Sequence, residues 1–493
     1  MLLRDLIVGK EIVEKFLYDE SIEILGLTDD SRKVKPGFIF FARRGTRENG
    51  ENFIPEAINK GAVCIIRETP PDPSFKCPQL QVRDLKKVMG ELALKFFGNP
   101  EKELRLIGIT GTNGKSSTSF FLKTLLENLG LKAGYVGTLF YEIDKKKYPA
   151  KETTPSILDL AFFLREAKEG GVKYFVMEVS SHALDQDRLY PLKFDLSAFT
   201  NLSRDHLDYH ADMEAYYLAK KKLFTHYLKP EGFAVISLES SYGHRLYQEL
   251  REEGVLAPER IFLVNNATIR VEILERTPFL KLKVKGIKRE YLVETKLLGD
   301  YQALNVGTLI GCALALGLEE EEVIWALKDL KNPPGRLELC GTYKGAYIFV
   351  DYAHTPEALE SALKSLLPLK KGRLIVLFGC GGNRDPGKRP LMGRIASQFS
   401  DLVILTSDNP RFEEPEKIIE EIKLGLNGAK PYYAIPDRRE AIAFCIKELR
   451  EGDLLLIAGK GHEDYQEIKG KRYPFSDKEE VEKVLRNLSS YAS

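Results

Sequence analysis

Seven short apolar runs in this chain each end in a cluster rich in glycine, histidine, asparagine or aspartate. The runs cover residues 104–109, 174–179, 194–199, 347–350, 374–378, 402–405 and 454–457. Helical patterns separate them, and strands that alternate with helices predict parallel sheets covered on both faces. Ligands of such sheets bind beyond the carboxyl ends of the strands. We therefore expect one active site in a cleft between two domains, the alternative being that these loops are simply polar.

Two glycine- and proline-containing segments that interrupt regular secondary structure predict three domains. Gly98-Asn99-Pro100 follows a helix pattern near residues 85–97, and the second segment, Lys-Asn-Pro-Pro-Gly, covers residues 331–335. Glycine and proline in such clusters favour turns and linkers. The predicted domains are 1–100, 101–331 and 332–493, and a chain of 493 residues is expected to form about three.

Composition excludes several classes of protein. Lysine and arginine number 73 against 72 aspartates and glutamates, a net charge of +1 that argues against a nucleic-acid binder. The sequence contains no apolar run near the roughly 20 residues of a membrane helix, and its N-terminus does not resemble a secretion signal. Six dispersed cysteines without a CxxC pair predict reduced thiols. We expect a cytoplasmic protein without nucleic-acid or membrane partners, with a monomer as the default.

A phosphate-binding loop is predicted where a strand pattern passes into a helix pattern. Its residues are Gly111, Thr112, Asn113, Gly114, Lys115, Ser116 and Ser117. Glycines let backbone N–H groups close on phosphate oxygens, and the helix N-terminus adds positive potential. Lys115 would reach the β- and γ-phosphates, and Ser116 would hold Mg²⁺. The loop is a variant of GxxxxGK[ST], because Gly108 lies one residue early; the alternative is a glycine-rich turn with a chance lysine.

Glu178 ends one of the apolar runs and is a candidate metal ligand. A buried carboxylate is costly unless it is paired or bound to metal. Mg²⁺ prefers one or two carboxylates together with phosphate oxygens and water. The alternative is a glutamate that caps a helix or forms a salt bridge.

Two motifs resemble the Mur ligase family. The segment 110–116, Thr-Gly-Thr-Asn-Gly-Lys-Ser, resembles the ATP loop of Mur ligases and their folylpolyglutamate synthetase relatives. Residues 408–411, Asp-Asn-Pro-Arg, resemble the signature of the branch that adds meso-diaminopimelate. The resemblance implies an α/β fold of three domains: a UDP-muramoyl-binding domain, a central P-loop ATPase with a mostly parallel sheet, and a C-terminal Rossmann-like domain for the incoming amino acid.

The resemblance also implies an activity. Members of the family use ATP to convert a substrate carboxylate to an acyl phosphate, which an incoming amine displaces. Here the reaction would add meso-diaminopimelate to the D-Glu carboxylate of UDP-MurNAc-L-Ala-D-Glu, in peptidoglycan precursor synthesis. Three alternatives remain: the same ligation with L-lysine, a folylpolyglutamate synthetase-like activity, and a nucleotide-operated switch without ligase chemistry.

Four side chains take catalytic or metal-binding roles by the same resemblance. Lys115 would contact phosphate, Glu178 would hold magnesium beside Ser116, and His206 would hold a second Mg²⁺ ion. Lys220 matches a lysine that the family carbamylates with CO₂, and this carbamate (N6-carboxylysine) would also bind the second ion. The chemistry is reasonable, because a desolvated lysine has a lowered pKa and a neutral amine captures CO₂. The alternative for Lys220, as for its lysine neighbours, is a solvated helix face.

The remaining site residues are also implied by the resemblance. Further ATP contacts are Asn305, Arg336, Asp351 and His354, with Gln302 in place of the family's first asparagine beside Gly299. The residues that match muramoyl-peptide contacts are Ser31, Arg32, Thr46, Arg47, Thr153, Thr154, Ser180, Gln186 and Arg188. The residues that match diaminopimelate contacts are Arg384, Asp408, Asn409, Arg411, Gly459 and Glu463. An arginine fork binds a carboxylate bidentately, so Arg411 would select the distal carboxylate, while Glu463 would accept from the distal ammonium group.

Overall fold

The computed structural model describes residues 1–490 except 8, 10, 11, 46, 47, 208, 266, 267, 277, 278, 427 and 429. Its contacts divide the chain into two units. The first comprises Met1–Ile269 and Gly307–Glu319, and the second comprises Arg270–Val306 and Glu320–Ser493. The predicted domain boundaries near residues 100 and 331 stay predictions.

The first unit begins with a five-stranded sheet in the order β1-β5-β4-β3-β2, parallel except where β1 pairs with β5. Its elements are α1 (Leu3–Ile7), β1 (Ile12–Phe16), β2 (Gly26–Thr28), β3 (Phe38–Phe41), α2 (Ile54–Asn59), β4 (Ala62–Arg67), β5 (Gln79–Val82) and α3 (Leu85–Phe96). Asp84 caps α3 by accepting from the backbone N–H of Lys87 at 2.9 Å. The helix expected near residues 85–97 is therefore confirmed.

The second sheet of this unit has eight strands in the order β13-β12-β11-β6-β10-β7-β8-β9. Its elements are β6 (Arg105–Thr110), α4 (Lys115–Asn128), β7 (Ala133–Val136), β8 (Tyr141–Ile143), β9 (Lys146–Tyr148), α5 (Ile157–Glu169), β10 (Tyr174–Glu178), α6 (Ser181–Asp185), β11 (Phe194–Phe199), α7 (Met213–Thr225), β12 (Leu228–Ser237), α8 (Ser241–Glu252) and β13 (Ile261–Val264). The strands from β13 to β7 are parallel, whereas β8 and β9 are antiparallel. In register, Glu178 of β10 lies beside Ile109, and Phe199 of β11 lies beside Thr110. The carboxyl ends of three neighbouring strands therefore meet at one edge.

The two sheets of the first unit share one hydrophobic core. A single cluster of buried side chains includes Leu85 and Leu92 of α3 together with Leu160 and Leu164 of α5. The packing is close, since a β-carbon added to Gly90 in α3 would lie 2.1 Å from the carbonyl oxygen of Tyr190. Residues 1–97 are therefore packed directly onto the part of the chain that carries the phosphate loop.

The second unit contains a small antiparallel sheet and a six-stranded sheet. The first elements are β14 (Arg270–Glu275), β15 (Lys281–Lys285), β16 (Glu290–Glu294), α9 (Tyr301–Ala315), within which the two units divide, and α10 (Glu320–Ala326). The later elements are β17 (Glu338–Tyr343), β18 (Ala346–Asp351), α11 (Pro356–Leu366), β19 (Leu374–Phe378), α12 (Lys388–Phe399), β20 (Leu402–Leu405), α13 (Pro415–Lys423), β21 (Tyr432–Ala434), α14 (Arg438–Lys447), β22 (Leu454–Ala458), β23 (Tyr465–Ile468), β24 (Lys471–Pro474) and α15 (Asp477–Ser490). Short 3₁₀ helices cover Ser31–Lys33, Gly50–Phe53, Pro100–Lys102, Pro258–Arg260, Leu327–Asp329 and Leu367–Leu369.

The six-stranded sheet has the order β17-β18-β22-β19-β20-β21, and its central strands β22, β19 and β20 are buried on both faces. All its pairs are parallel except β17 with β18. Alternate residues of β22 belong to two separate buried clusters: Leu454 and Leu456 to one, Leu455 and Ile457 to the other. Period-two burial on both faces explains the continuous apolar runs of the sequence. The expected α/β class with mostly parallel sheets is confirmed.

The six cysteines are free thiols. Burial raises the pKa of Cys77 to about 11 and that of Cys380 to about 12, so these thiols are unreactive at neutral pH. Among the described residues, no helix combines the length and apolar character that crossing a membrane requires.

Candidate active site

The predicted phosphate loop connects β6 to α4 and is tightly folded. Gly111 and Gly114 have φ angles of +149° and +83°, and a β-carbon on Gly111 would lie 1.9 Å from Thr200 Oγ1. Lys115 Nζ donates to the carbonyl oxygens of Gly111 and Thr112, each at 2.9 Å. The glycine at position 111 is therefore required both for its backbone conformation and for close approach.

Residues after β11 hold the loop in place. The backbone N–H of Thr112 donates to the carbonyl oxygen of Asn201, and that of Asn113 donates to Asn201 Oδ1, both at 2.9 Å. Thr200 Oγ1 donates to the carbonyl oxygen of Asn113 at 2.6 Å. Thr112 Oγ1 lies 3.1 Å from the Tyr216 hydroxyl. Segments far apart in sequence thus fix the loop.

Glu178 lies beside the loop and is fully buried. Ser116 Oγ donates to Oε2 at 2.8 Å, and the Tyr135 hydroxyl donates to Oε1 at 2.6 Å. Thr138 donates through its backbone N–H at 2.9 Å and its hydroxyl at 3.1 Å. Burial and the charge of Glu178 raise the pKa of Tyr135 well above its usual value, so its hydroxyl stays a donor. Within the described residues these donors are neutral, so Glu178 is neither a salt-bridged nor a helix-capping residue.

Lys220 lies on α7 and is 1% exposed, so it does not belong to a solvated face. Its Nζ donates to the carbonyl oxygen of Gly111 at 2.8 Å and lies 4.7 Å from the ring centroid of Tyr216. Burial, and next the charge of Lys115, hold the pKa of Lys220 well below the ordinary lysine value. The charged form of the Lys220 amine is therefore disfavoured relative to that of an exposed lysine.

His206 follows the strand edge in a left-handed conformation, with φ of +53°. Its ring centroid lies 4.9 Å from that of His182 and 5.9 Å from that of Tyr216. Over the described part of the chain, no three His, Cys, Asp or Glu side chains form a group that could hold a metal. A metal here would therefore need other oxygen ligands such as a serine hydroxyl, phosphate oxygens or water, which are the ligands that Mg²⁺ prefers.

Several predicted muramoyl-peptide residues gather near the end of β10. Thr153 Oγ1 lies 3.1 Å from Thr138 Oγ1, and Thr154 Oγ1 donates to the carbonyl oxygen of Glu178 at 2.8 Å. Ser180 donates its backbone N–H to Thr154 Oγ1 at 3.0 Å. Arg188 pairs with Glu152, while Gln186 Nε2 donates to the Tyr209 hydroxyl at 3.0 Å.

Two of the predicted muramoyl-peptide residues that lie near the first sheet have local partners. Ser31 Oγ donates to Glu56 Oε2 at 2.7 Å, and Arg32 Nε donates to Asp30 Oδ1 at 2.9 Å. Thr46 and Arg47 lie outside the described residues.

In the second unit, Asp351 ends β18 and accepts from the backbone N–H groups of Leu337 and Ala353 at 2.7 and 2.8 Å. Burial raises the pKa of the Asp351 carboxyl, and the nearby Arg336 partly offsets this. His354 Nδ1 lies 2.7 Å from the carbonyl oxygen of Tyr352. These residues form one cluster at the end of the strand.

Gln302, which replaces the asparagine of the family pattern, is the partner of Asn305. Asn305 Nδ2 donates to Gln302 Oε1 at 2.8 Å, and both side chains are buried. Gln302 Nε2 is itself buried with no hydrogen-bond partner in the described residues. The longer amide therefore orients Asn305.

The predicted amino-acid residues converge where β20 and β22 end. Asn409 Nδ2 donates to Glu463 Oε2 at 2.9 Å. Arg411, with φ of +52°, donates through Nη1 to the carbonyl oxygen of Gly382 at 2.8 Å. Gly459 has φ of +115°, and a β-carbon there would lie 2.5 Å from Asp408 Oδ2. A carboxylate and a guanidinium thus lie in one site.

Arg384 is exposed on the neighbouring loop. Its Cγ would lie 3.7 Å from a β-carbon on Gly381, and Arg411 Nη1 would lie 2.9 Å from the same atom. The two arginines predicted to contact carboxylates therefore flank one glycine.

Sequence reasoning missed two charged residues of this site. Lys460 is fully buried, with Nζ 2.9 Å from Glu463 Oε2, and Glu467 Oε2 lies 3.3 Å from Arg411 Nε. Lys460 had a usable signal, because it stands between two glycines within a predicted cluster. Glu467 had none, since it lies in the hairpin strand β23.

Three family models match most of this chain. Models of the Mur ligase middle domain, the Mur ligase glutamate ligase domain and the Mur ligase family catalytic domain match residues 109–314, 335–461 and 23–97. The UDP-N-acetylmuramoyl-L-alanyl-D-glutamate–2,6-diaminopimelate ligase of Aquifex aeolicus (strain VF5) is 45% identical over 467 residues, 94% of each chain.

Solved structures extend the comparison. A structure of UDP-N-acetylmuramoyl-L-alanyl-D-glutamate–2,6-diaminopimelate ligase matches with a TM-score of 0.70 and 32% identity, over 99% of each chain. MurF ligase from Thermotoga maritima in complex with ADP matches with a TM-score of 0.63 and 18% identity, over 95% of this chain and 98% of that one. The second likeness concerns the fold alone.

Proposed function

This chain belongs to the Mur ligase family, and from that premise we propose that it joins meso-diaminopimelate to the D-Glu carboxylate of UDP-MurNAc-L-Ala-D-Glu at the expense of ATP. The observation that carries the proposal is that Glu463 accepts a hydrogen bond from Asn409, two residues before Arg411, whose guanidinium donates to the Gly382 carbonyl on the neighbouring loop. Diaminopimelate carries both an ammonium and a carboxylate at its distal end, and one glutamate and one arginine complement that pair.

The reaction divides into two balanced steps. An oxygen of the D-Glu carboxylate attacks the γ-phosphorus of ATP, the bond to the β-phosphate breaks, and ADP leaves. The amine of the amino acid then attacks the carbonyl carbon of the acyl phosphate, phosphate leaves, and the nitrogen loses a proton to give the amide. Lys115 and the N-terminus of α4 stabilise negative charge on the phosphates.

The residues beside the phosphate loop fit magnesium. Ser116 and Glu178 would hold one ion. The hydrogen-bond donors to the buried Glu178 carboxylate are neutral, so no cationic side chain among them offsets its negative charge, and a metal ion could do so. His206 and a carbamate on Lys220 would hold a second. Bound magnesium neutralises charge on phosphate oxygens.

The carbamate on Lys220 is supported by burial and by the lowered pKa of the amine. A neutral lysine nitrogen forms a bond to the carbon of CO₂ and releases one proton, so that an uncharged amine becomes an anionic oxygen ligand. Such a group would add an anionic oxygen ligand beside His206, where no three described His, Cys, Asp or Glu side chains form a group that could hold a metal.

Selection of diaminopimelate over L-lysine rests on Arg411 and Arg384. Lysine lacks the distal carboxylate, so it would forgo the charge-assisted hydrogen bonds that these guanidinium groups could donate to it, at a cost of about 1–3 kcal/mol. Asp351, His354, Arg336 and the Asn305–Gln302 pair would contact ATP, and Thr153, Thr154, Ser180, Gln186 and Arg188 would contact the muramoyl peptide.

We also propose a cytoplasmic location, which the free thiols and the use of ATP support.

The test is phosphate release with UDP-MurNAc-L-Ala-D-Glu, ATP and Mg²⁺, comparing meso-diaminopimelate with L-lysine. We expect release with diaminopimelate at least about tenfold more efficient than with lysine. Equal efficiency would keep the ligase and reject the role of Arg411 in selection. No release with either amino acid would reject the ligase.

A further inference from the structure

A buried lysine at the amino-acid site has no part in the reaction described above. Lys460 stands between Gly459 and Gly461, immediately after β22, and its side chain is 0% exposed. Its Nζ lies 2.9 Å from Glu463 Oε2 and 3.2 Å from Asn409 Oδ1. A fully buried ammonium group is costly unless it is paired and hydrogen-bonded, so these two contacts are what allow it to be there.

The contacts of Lys460 fix the orientation of Glu463. Oε2 of Glu463 accepts from Lys460 Nζ and from Asn409 Nδ2, both at 2.9 Å. Asn409 is oriented in turn, because its Oδ1 accepts from Lys460 Nζ and from the backbone N–H of Glu467. No described residue donates a hydrogen bond to the other oxygen, Oε1. The side chain of Glu463 is 16% exposed, so the carboxylate could turn toward solvent. The hydrogen bonds from Lys460 and Asn409 to Oε2 oppose that rotation.

We propose that Lys460 is a positioning residue that holds Glu463 with Oε1 directed to the distal ammonium group of the amino-acid substrate, and that it thereby sets the preference for substrates carrying that group. This inference rests on the function proposed above. Without Lys460, the largely buried carboxylate of Glu463 would keep only one neutral hydrogen-bond partner, Asn409. Such a group turns toward solvent or takes up a proton, and either change removes the acceptor for the distal ammonium.

The rings around Lys460 indicate a suitable substitution. Its Nζ lies 5.4 Å from the ring centroid of Tyr465 and 6.0 Å from that of Phe475. Methionine has a similar length and no branch, so Lys460→Met keeps the packing and removes the charge. Lys460→Gln keeps a hydrogen-bond donor without the charge. Lys478→Met is the matched control, because Lys478 pairs with Glu338 at 2.7 Å and is 48% exposed, in the same unit.

The experiment compares meso-diaminopimelate with 2-aminopimelate, which keeps the chain length and distal carboxylate but lacks the distal amine. The values of kcat and KM for both are measured on the full chain with saturating ATP, Mg²⁺ and UDP-MurNAc-L-Ala-D-Glu. In Lys460→Met we expect the preference for diaminopimelate to fall at least about tenfold, through a higher KM for diaminopimelate and with little change for 2-aminopimelate. Lys460→Gln should lie between the two, and Lys478→Met should keep the wild-type preference.

Each other outcome rejects the inference. An unchanged preference in Lys460→Met would show that Glu463 is positioned without Lys460. An increased preference would show that Lys460 repels the ammonium group instead of orienting its acceptor. If Lys460→Met does not fold, Lys460→Gln decides, and equal losses for both amino acids would indicate a general structural role. A wild-type protein that does not distinguish the two amino acids would reject the proposed selection itself, whereas a selective wild type with unaffected variants rejects only the role of Lys460.

Discussion

Ser116 Oγ donates a hydrogen bond to Glu178 Oε2 at 2.8 Å across 62 positions of sequence. The contact follows from the parallel register of β6 and β10, which places Glu178 beside Ile109. A hydroxyl and a carboxylate are thereby held together where the phosphates of a nucleotide would lie, and this pair forms the most testable part of the site.

Glu178→Gln should reduce ATP-dependent phosphate release by about 100-fold or more, because it removes the charge that a cation needs at the phosphates. The change is nearly isosteric, so a thermal melt should remain cooperative. Glu142→Gln is the matched control: Glu142 is also buried and pairs with Lys123 at 2.7 Å. That control should lose stability without changing the dependence of the rate on Mg²⁺. Full activity in Glu178→Gln would contradict a metal-binding role.

Lys220→Ala should abolish most of the activity, and added formate or acetate should restore part of it, because a free carboxylate replaces the missing carbamate. Activity is followed by phosphate release, with Lys222→Ala as the control, since Lys222 is 29% exposed and pairs with Asp187 at 3.5 Å. Undiminished activity in Lys220→Ala would exclude the carbamate. Loss without rescue would leave only a structural role for the amine.

Lys220 should also impose a pH dependence on stability. Its pKa in the folded protein lies well below the ordinary value of 10.5, so between those two values the unfolded chain binds more protons than the folded chain. The free energy of unfolding should therefore rise with pH across that interval, by at most about 1.4 kcal/mol per pH unit. Urea unfolding of the wild type and Lys220→Met, in CO₂-free buffer from about pH 7 to about pH 10, measures the difference. If the free energy of unfolding of the wild type minus that of Lys220→Met stays constant or falls with pH, a buried, neutral amine would be contradicted.

Arg411→Lys should lower kcat/KM for diaminopimelate by about tenfold or more, because lysine cannot offer the two parallel N–H groups that bind a carboxylate. The value of kcat/KM for L-lysine should change much less, so the ratio of kcat/KM for diaminopimelate to kcat/KM for L-lysine should fall. Arg439→Lys is the control, because Arg439 is 56% exposed and pairs with Glu480 in the same unit. A ratio equal to the wild-type value in Arg411→Lys would reject selection by this guanidinium.

Much of the fold and part of the site could be predicted because the signals are local. The phosphate loop depends on a strand, a glycine turn and a helix that follow one another in sequence. Glu178 was found because a carboxylate at the end of an apolar run is unusual, and the parallel arrangement of strands then brought it to the loop.

The rest depends on contacts between distant segments. Lys220 reads as one of three lysines on a helix, and only packing against Gly111 shows that it is buried. Gln302 looks like a departure from a family pattern until its contact with Asn305 is seen. The role of Lys460 requires knowing that β20 and β22 end at the same edge of the sheet on either side of β19, which no periodicity in the sequence indicates.

The shared core of the first unit has a practical consequence for building chimeras. Exchanging residues 1–97 for those of a relative would bring a foreign α3 against α5 and against the Tyr190 carbonyl, where Gly90 leaves no room for a β-carbon. The exchanged segment would therefore need a glycine at position 90, and the surface of its α3 would have to fit the α5 of the recipient chain.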